Sequence, residues 1–135
     1  MNGRDLARHL HECLGYPLLD LDGGRPCVLH LDEGLVLELR FVAELPALCL
    51  AVRLHRLTPF SRAEALVRLM SANLYMADSG LPHYGLAPRD DTLYLCHTRV
   101  LADEDFDAAV QAVETVLAGA RQAQQLLLRE QIVSP

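Results

Sequence analysis

Apolar residues recur every three or four positions in three stretches of the chain, a period typical of amphipathic helices. The first stretch predicts a helix from Asp5 to Leu14, in which Leu6 and Leu10 lie on one face. Gly15 followed by Pro17 is a typical helix-end signal, so this helix is expected to stop there.

The second helical stretch follows a capping box, in which Ser61 precedes Glu64 by three residues. It ends at Asp78-Ser79-Gly80. A third helix begins at the acidic run Asp103-Glu104-Asp105, whose charge suits a helix N-terminus, and its apolar pattern runs on through Leu127. The apolar stripe of the second helix consists of Ala63, Leu66, Val67, Met70 and Leu74.

Between the helices, apolar and polar residues alternate with the period of two that is typical of β-strands. In the clearest case Leu37 and Leu39 point one way while Glu38 and Arg40 point the other. Short turns join the segments, so neighbouring strands are expected to run antiparallel. The predicted strands are Cys27–Leu31, Leu35–Val42, Ala47–His55, Pro82–Ala87 and Thr92–Val100. The element order α-β-β-β-α-β-β-α predicts an α+β fold, a twisted antiparallel sheet flanked by helices.

The third predicted strand is apolar on both of its faces. Leu48, Leu50 and Val52 alternate there with Cys49 and Ala51. A strand of this kind must be covered on both sides. Since three helices cover one face of a five-stranded sheet, we expect apolar surface to remain for a second copy of the chain or for another protein.

Length and charge restrict the class of protein. The chain has 135 residues, 51% of them hydrophobic, which predicts a single folded domain over residues 1–135. Its net charge of −6 argues against nucleic-acid binding, which needs clustered positive charge. No apolar run is long enough to cross a bilayer, and residues 1–5 lack the apolar core of a signal peptide. We therefore expect a cytoplasmic protein that does not insert into membranes.

Residues that could carry chemistry are scattered along the chain. His9 and His11 are two positions apart on a helix and point to different faces, while neighbouring Cys96 and His97 face opposite sides of a strand. The pattern therefore predicts no catalytic centre, no cofactor and no metal site. The four cysteines stand in apolar stretches and are expected to be small buried hydrophobic residues: Cys13, Cys27, Cys49 and Cys96.

Several local patterns, taken in order, resemble the class I type III secretion chaperones, the group that includes the Tir chaperone and the Yop chaperones. Tyr75 stands where that family usually has Phe, and Ala87 where Asp is common. The resemblance extends from Asp5 to Arg129, with a core over about residues 5–120 and a C-terminal helix extension over about 121–135. The patterns are Leu19–Leu29, the strand pair Leu35–Val42 and Ala47–Arg53, the helix end Ala72-Asn73-Leu74-Tyr75, the turn Gly85–Pro88 and the strand Thr92–Leu95.

The resemblance implies a bacterial homodimer that binds the N-terminal segment of a secreted effector toxin in extended form and keeps it soluble and competent for secretion. A secretion ATPase is an implied further partner. The implied dimer interface, around the second helix and the fourth strand, consists of Leu66, Leu69, Met70, Asn73, Leu74 and Tyr84. The residues expected to contact the effector, each of which could equally be ordinary core, are Leu6, Leu10, Val28, Leu29, Val36 and Ala51.

Two other functions remain open from the sequence. One is a regulatory or adaptor dimer that acts on the secretion apparatus. The other is a small ligand-binding or enzymatic α+β domain, which requires a concave pocket with convergent polar groups. The predicted strands offer few polar interior positions to line such a pocket.

Overall fold

The computed structural model describes residues 2–57, 62–78, 80–102 and 105–129. These residues form helices and one antiparallel sheet in the predicted order, so the α+β prediction is confirmed. The helices are α1 (Gly3–Leu14), α2 (Arg62–Asp78) and α3 (Phe106–Arg129). The strands are β1 (Cys27–His30), β2 (Val36–Val42), β3 (Ala47–Arg56), β4 (His83–Ala87) and β5 (Thr92–Val100).

The sheet has the strand order β1-β2-β3-β5-β4, with every neighbouring pair antiparallel. The first three strands form a meander, because short turns join them. The chain then passes through α2 and returns as the hairpin of β4 and β5, with β5 against β3. This path leaves β1 and β4 as the two edge strands.

Polar side chains cap the starts of α1 and α3, and a glycine in the left-handed conformation ends α1. Asn2 accepts a hydrogen bond from the Asp5 N–H at 2.8 Å, which starts α1 two residues before its predicted beginning. Gly15 has a φ of 72° and donates its N–H to the carbonyl of His11 at 3.0 Å, which confirms the predicted end. Asp105 caps α3 by accepting from the Ala108 N–H at 3.1 Å. The predicted capping residue Ser61 and the acidic pair at 103–104 lie outside the described residues.

One face of the sheet is covered by α3, which lies across β3 and β5, and by α1, which packs against α3. Leu6 and Leu10 of α1 are fully buried in this layer. A fully buried leucine contributes on the order of 2 kcal/mol to folding, so this layer supplies most of the hydrophobic stabilisation. The sheet residues that point into it include Leu29, Leu37, Leu39, Phe41, Leu48, Leu50, Val52, Leu95 and His97.

The start of α1 is held against the segment before β1. The Gly3 N–H donates to the Asp22 carboxylate at 2.8 Å. The backbones approach so closely that a Cβ on Gly3 would lie 2.8 Å from the carbonyl carbon of Leu21 and 2.9 Å from the Asp22 nitrogen. Glycine is therefore required at position 3 for steric reasons.

The predicted apolar stripe of α2 does not face the core. Ala65 and Leu69 point inward instead, while Val67, Met70 and Leu74 are 67–71% exposed. The physical reason is that α2 lies beside the edge strand β4 rather than across the sheet, so a narrow side of the helix suffices to cover its contact.

The prediction that the four cysteines are buried is wrong. Cys13 is exposed on α1, and Cys27 is only half-buried. Cys49 and Cys96 are also half-buried, because they stand on the sheet face opposite α1 and α3.

Candidate functional site

The sheet face opposite α1 and α3, called here the open face, carries side chains that are mostly exposed or half-buried. The strand registers align its central row across all five strands: Val28, Glu38, Ala51, Cys96 and His83. A second row runs His30, Val36, Arg53, Tyr94 and Gly85, and a third contains Arg40, Cys49 and Thr98.

The open face unites three of the six residues that sequence reasoning assigned to effector contact. Val28, Val36 and Ala51 lie on neighbouring strands of this face, and Val28 is 48% exposed. Leu6 and Leu10 are instead fully buried in the covered layer, where α1 packs against α3. Leu29 is also buried, on the covered face, and belongs to the same hydrophobic core as these two residues. An accessible apolar surface is therefore offered by Val28, Val36 and Ala51.

The edge strand β1 has outward-facing main-chain groups. The Leu31 N–H donates to the Leu35 carbonyl at 2.8 Å, which makes this a hydrogen-bonded pair of the antiparallel ladder. Such pairs alternate along a ladder, so the next one is Leu29 with Leu37. The N–H and C=O groups of Val28 and His30 consequently point away from β2, as at an edge that can accept a further strand.

The other edge strand, β4, is capped by a side chain. The Asn73 Nδ2 of α2 donates to the Tyr84 carbonyl at 2.9 Å, and the Tyr84 N–H donates to Asn73 Oδ1 at 2.6 Å. The amide thus imitates the donor and acceptor of a neighbouring strand. The two edges of the sheet therefore differ, because α2 occupies the outward groups in the middle of β4.

A second candidate surface lies on α2. Its outer side presents four large side chains with exposed fractions of 67–77%, called here the α2 patch: Val67, Met70, Leu74 and Tyr75. Sequence reasoning assigned Met70 and Leu74 of this patch to the dimer interface but did not include Val67 or Tyr75, although Val67 belonged to the predicted stripe. The remaining four assigned residues are less accessible: Leu66 and Asn73 are half-buried, and Leu69 and Tyr84 belong to the core.

Charged and aromatic side chains are fixed near the centre of the open face. Arg53 lies 4.0 Å from the Glu38 carboxylate and stands over the Tyr94 ring, 5.9 Å from its centroid. A hydrogen bond with Tyr94 raises the pKa of Arg53, and the charge of Glu38 contributes to the same shift. Burial raises the pKa of the Cys96 thiol, and Glu38 adds to this effect. The thiol is therefore held in its neutral form.

The chemistry-bearing residues form no arrangement typical of catalysis. The same nitrogen of His9, Nε2, lies 3.4 Å from both Cys13 Sγ and the Asp107 carboxylate, so no relay through the ring exists. The ring of His9 stacks on Phe106 at 5.3 Å, which indicates a structural contact between α1 and α3. In the described part of the chain, no group of three or more His, Cys, Asp or Glu residues is placed to hold a metal ion.

An apolar cleft of about 450 Å³ lies between the end of α2, the start of β4 and α3. Its polar side chains are Thr115, Gln122 and Tyr84, and the rest of the lining is apolar or small. This cleft lacks the convergent polar groups that an enzymatic pocket requires. Among the described helices, none is both long and apolar enough to span a membrane.

Comparison with known families gives one match over most of the chain. The model of the Tir chaperone protein (CesT) family matches residues 5–124, which confirms the resemblance found in the sequence. No curated protein sequence matches the chain.

Solved structures share the fold at low sequence identity. A chain in the crystal structure of the ExsC–ExsE complex is 21% identical, with a TM-score of 0.76 and coverage of 92% of each chain. The HopA1–SchA chaperone–effector complex gives 15% identity, a TM-score of 0.70, and coverage of 90% of this chain and 91% of that chain. The Yersinia pestis type III secretion chaperone SycH, in complex with a stable fragment of YscM2, is 19% identical, with a TM-score of 0.66. The match covers 90% of this chain and 98% of that chain.

Proposed function

The chain belongs to the Tir chaperone protein (CesT) family, and we propose from this that it is a type III secretion chaperone for the N-terminal segment of an effector. The segment would bind in extended form and so stay soluble and competent for export. Structures of similar fold include a chaperone–effector complex and a type III secretion chaperone bound to a protein fragment, which supports this proposal. The observation that carries it is the uncapped edge of β1 beside the apolar positions of the open face.

The proposed binding mode is strand addition at β1. An extended segment would pair with the outward main-chain groups of Val28 and His30, and its alternate side chains would contact Val28, Val36 and Ala51. Main-chain hydrogen bonds supply affinity in this mode, and side-chain contacts supply specificity. Because an unfolded segment loses conformational entropy on binding, it needs a large contact area, which the open face offers.

We also propose that the α2 patch forms a homodimer. Its members at positions 67, 70 and 74 have the helical spacing of a single apolar stripe, so two copies of the stripe can pack together. The second copy would bury side chains that are otherwise mostly exposed.

The proposed function also implies a cellular compartment and a second partner. The chain would act in the bacterial cytoplasm, before export of the effector, and would hand the complex to a secretion ATPase. Residues 1–135 would form one domain, with the end of α3 as an extension of the family core. Holding a segment requires no catalytic centre, and the matched family is one of chaperones rather than enzymes.

The direct test is co-expression with the product of the neighbouring gene, because cargo in this family is often encoded beside its chaperone. We expect a purified complex in which the N-terminal segment of the cargo resists protease and gives no spectroscopic sign of an independent fold. A cargo segment that stays protease-sensitive, or that folds into its own globular domain in the complex, would contradict the proposed function.

The binding mode has a sharper test at Val28. Val28→Pro removes an outward N–H without removing a ladder bond to β2, and an edge strand tolerates proline at such a position. We expect it to abolish cargo binding, whereas Val28→Ala, which keeps the N–H, weakens binding by less than about tenfold. Equal binding by the proline variant would reject strand addition at β1 and leave the chaperone function standing.

The dimer is tested by its mass in light scattering after size exclusion. The wild-type chain should have a molar mass of twice the 15.0 kDa of one copy, and Leu74→Glu should have the mass of a monomer. Leu18 is 69% exposed, as Leu74 is, but lies outside α2, so Leu18→Glu is the matched control and should remain dimeric. A monomeric wild type would reject the dimer.

A further inference from the structure

Arg40 stands on the open face as a cation without an acidic partner. Its side chain is exposed, and it forms no ion pair with a carboxylate in the described part of the chain. The nearest acid on its own strand face is Glu38, which lies 4.0 Å from Arg53. On a chain of net charge −6, Arg40 is thus an exposed cation on the surface proposed to bind cargo.

The surroundings of Arg40 form a shallow cavity of about 310 Å³. Its lining includes two charged side chains, Arg40 and Glu38, together with Pro26 and the small side chains of Cys49, Ala51 and Cys96. Since Cys27 pairs with Leu39, Pro26 lies beside Arg40 across the β1–β2 ladder. Arg40 is therefore aligned with the position two residues before Val28, one strand in from the free edge.

Neighbouring acidic residues restrict the direction from which a partner carboxylate can approach Arg40. Asp22 and Glu44 line a second, neighbouring cavity, which Arg40 also lines, at the end of β2. Their charges disfavour another carboxylate there. On the β1 side, Pro26 and Val28 carry no charge, but Glu38 pairs with Val28 across the ladder and shares the open face. A partner carboxylate is therefore favoured opposite Pro26, beside Arg40, and disfavoured opposite Val28, beside Glu38.

We infer that the open face selects an acidic extended segment, in which a carboxylate stands two residues from an apolar side chain. The inference rests on the proposed strand addition at β1. In an added strand, alternate side chains share the open face, so the residue opposite Pro26 meets Arg40 when the residue two positions along meets Val28. Arg40 then determines specificity through charge, and Val28 supplies apolar contact.

The test uses fluorescein-labelled peptides of about ten residues, rich in Ser and Thr, with one Leu and a Glu two positions from it. Matched peptides carry Gln or Arg in place of the Glu, and binding is measured by fluorescence anisotropy to the full-length chain. We expect the Glu peptide to bind about three- to tenfold more tightly than the Gln peptide, with the difference reduced in about 0.5 M salt.

Arg40→Glu should reverse the preference, so that the Arg peptide binds better than the Glu peptide. Arg89 is exposed at the turn between β4 and β5, and Arg89→Glu is the control for a change in net charge. Three results would overturn the inference: equal binding of the three peptides, no binding of any of them, or the same effect from both substitutions. A change in dimer mass on Arg40→Glu would also overturn it and assign the residue to contact between copies. Each result leaves the co-expression test of the chaperone function independent.

Discussion

The side-chain amide of Asn73 pairs with both main-chain polar groups of Tyr84, at 2.6 and 2.9 Å. This relationship joins α2 to the edge of the sheet and closes that edge against other strands. It also explains why the residue is partly buried although it lies on a helix with an exposed outer side.

Removal of this amide should destabilise the chain. Asn73→Ala leaves the Tyr84 N–H and C=O without their partners, so we expect a loss of about 1–3 kcal/mol in the free energy of unfolding. Urea denaturation at a fixed protein concentration measures it. Ser71→Ala is the control, because the Ser71 hydroxyl donates to the Val67 carbonyl within the same helix and does not join α2 to β4 among the described residues. Equal stability of the two variants would show that the pairing is not important for folding.

Glycine at position 3 should be irreplaceable by alanine. The added Cβ would lie 2.7 Å from the Asp22 carboxylate oxygen and under 3.0 Å from backbone atoms, so the start of α1 must shift. We expect Gly3→Ala to lower the free energy of unfolding by about 1–3 kcal/mol. In Gly23→Ala, the added Cβ would be 3.9 Å from the nearest atom, the Asp20 carboxylate, and its effect should stay within about 0.5 kcal/mol.

Stability should fall in mild acid because of His97. Burial lowers its pKa below the ordinary 6.5, and the charges of Arg99 and His83 act in the same direction. The unfolded chain therefore binds a proton at His97 at a higher pH than the folded chain does. The contribution of neutral His97 to the free energy of unfolding is complete above about pH 6.5 and is lost as the pH falls towards the lower pKa of the folded chain. Each unit of difference between the unfolded and folded pKa values corresponds to about 1.4 kcal/mol.

The measurement is the urea midpoint as a function of pH for the wild type and His97→Gln. The variant should show a shallower decline between about pH 7 and pH 5. An unchanged slope in His97→Gln would mean that another group causes the decline.

The thiols should differ in reactivity in a way that tests the open face. The raised pKa of Cys96 reduces its thiolate fraction, so iodoacetamide at about pH 8 should modify it more slowly than the exposed Cys13. Mass spectrometry of peptides gives both rates. Glu38→Gln removes a charge that raises this pKa and should accelerate the reaction at Cys96. The two cysteines should react equally in denaturant.

Sequence patterns predicted the elements well because their signals are local. Gly15 ends α1 as expected, and Leu37 and Leu39 point to the core because strand alternation is a property of neighbouring residues. The family motifs added the expectation of a partner surface. The alternation of β3 also predicted its second apolar face, where Cys49 and Ala51 lie half-buried on the side that α1 and α3 do not cover.

The remaining features depend on contacts between distant segments. The helical period of α2 predicts which residues share a stripe, but it does not predict which side of the helix packs against β4. In the structure Leu69 faces inward and Met70 faces outward. Burial of Leu6 and Leu10 where α1 packs against α3 depends on how far that helix covers the sheet. The pairing of Asn73 with Tyr84 spans eleven residues and an intervening turn, so neither residue type nor spacing could predict it.

The difference between the two sheet edges has a consequence for self-assembly. A sheet with two acceptor edges can propagate into an open-ended polymer, whereas one with a single acceptor edge ends after one addition. Because the Asn73 amide occupies the outward groups of Tyr84, copies of this chain cannot stack head to tail by pairing β1 with the middle of β4. The edge strand β1 is then the acceptor edge of the sheet, and the same amide that joins α2 to β4 acts against growth of the chain into fibres.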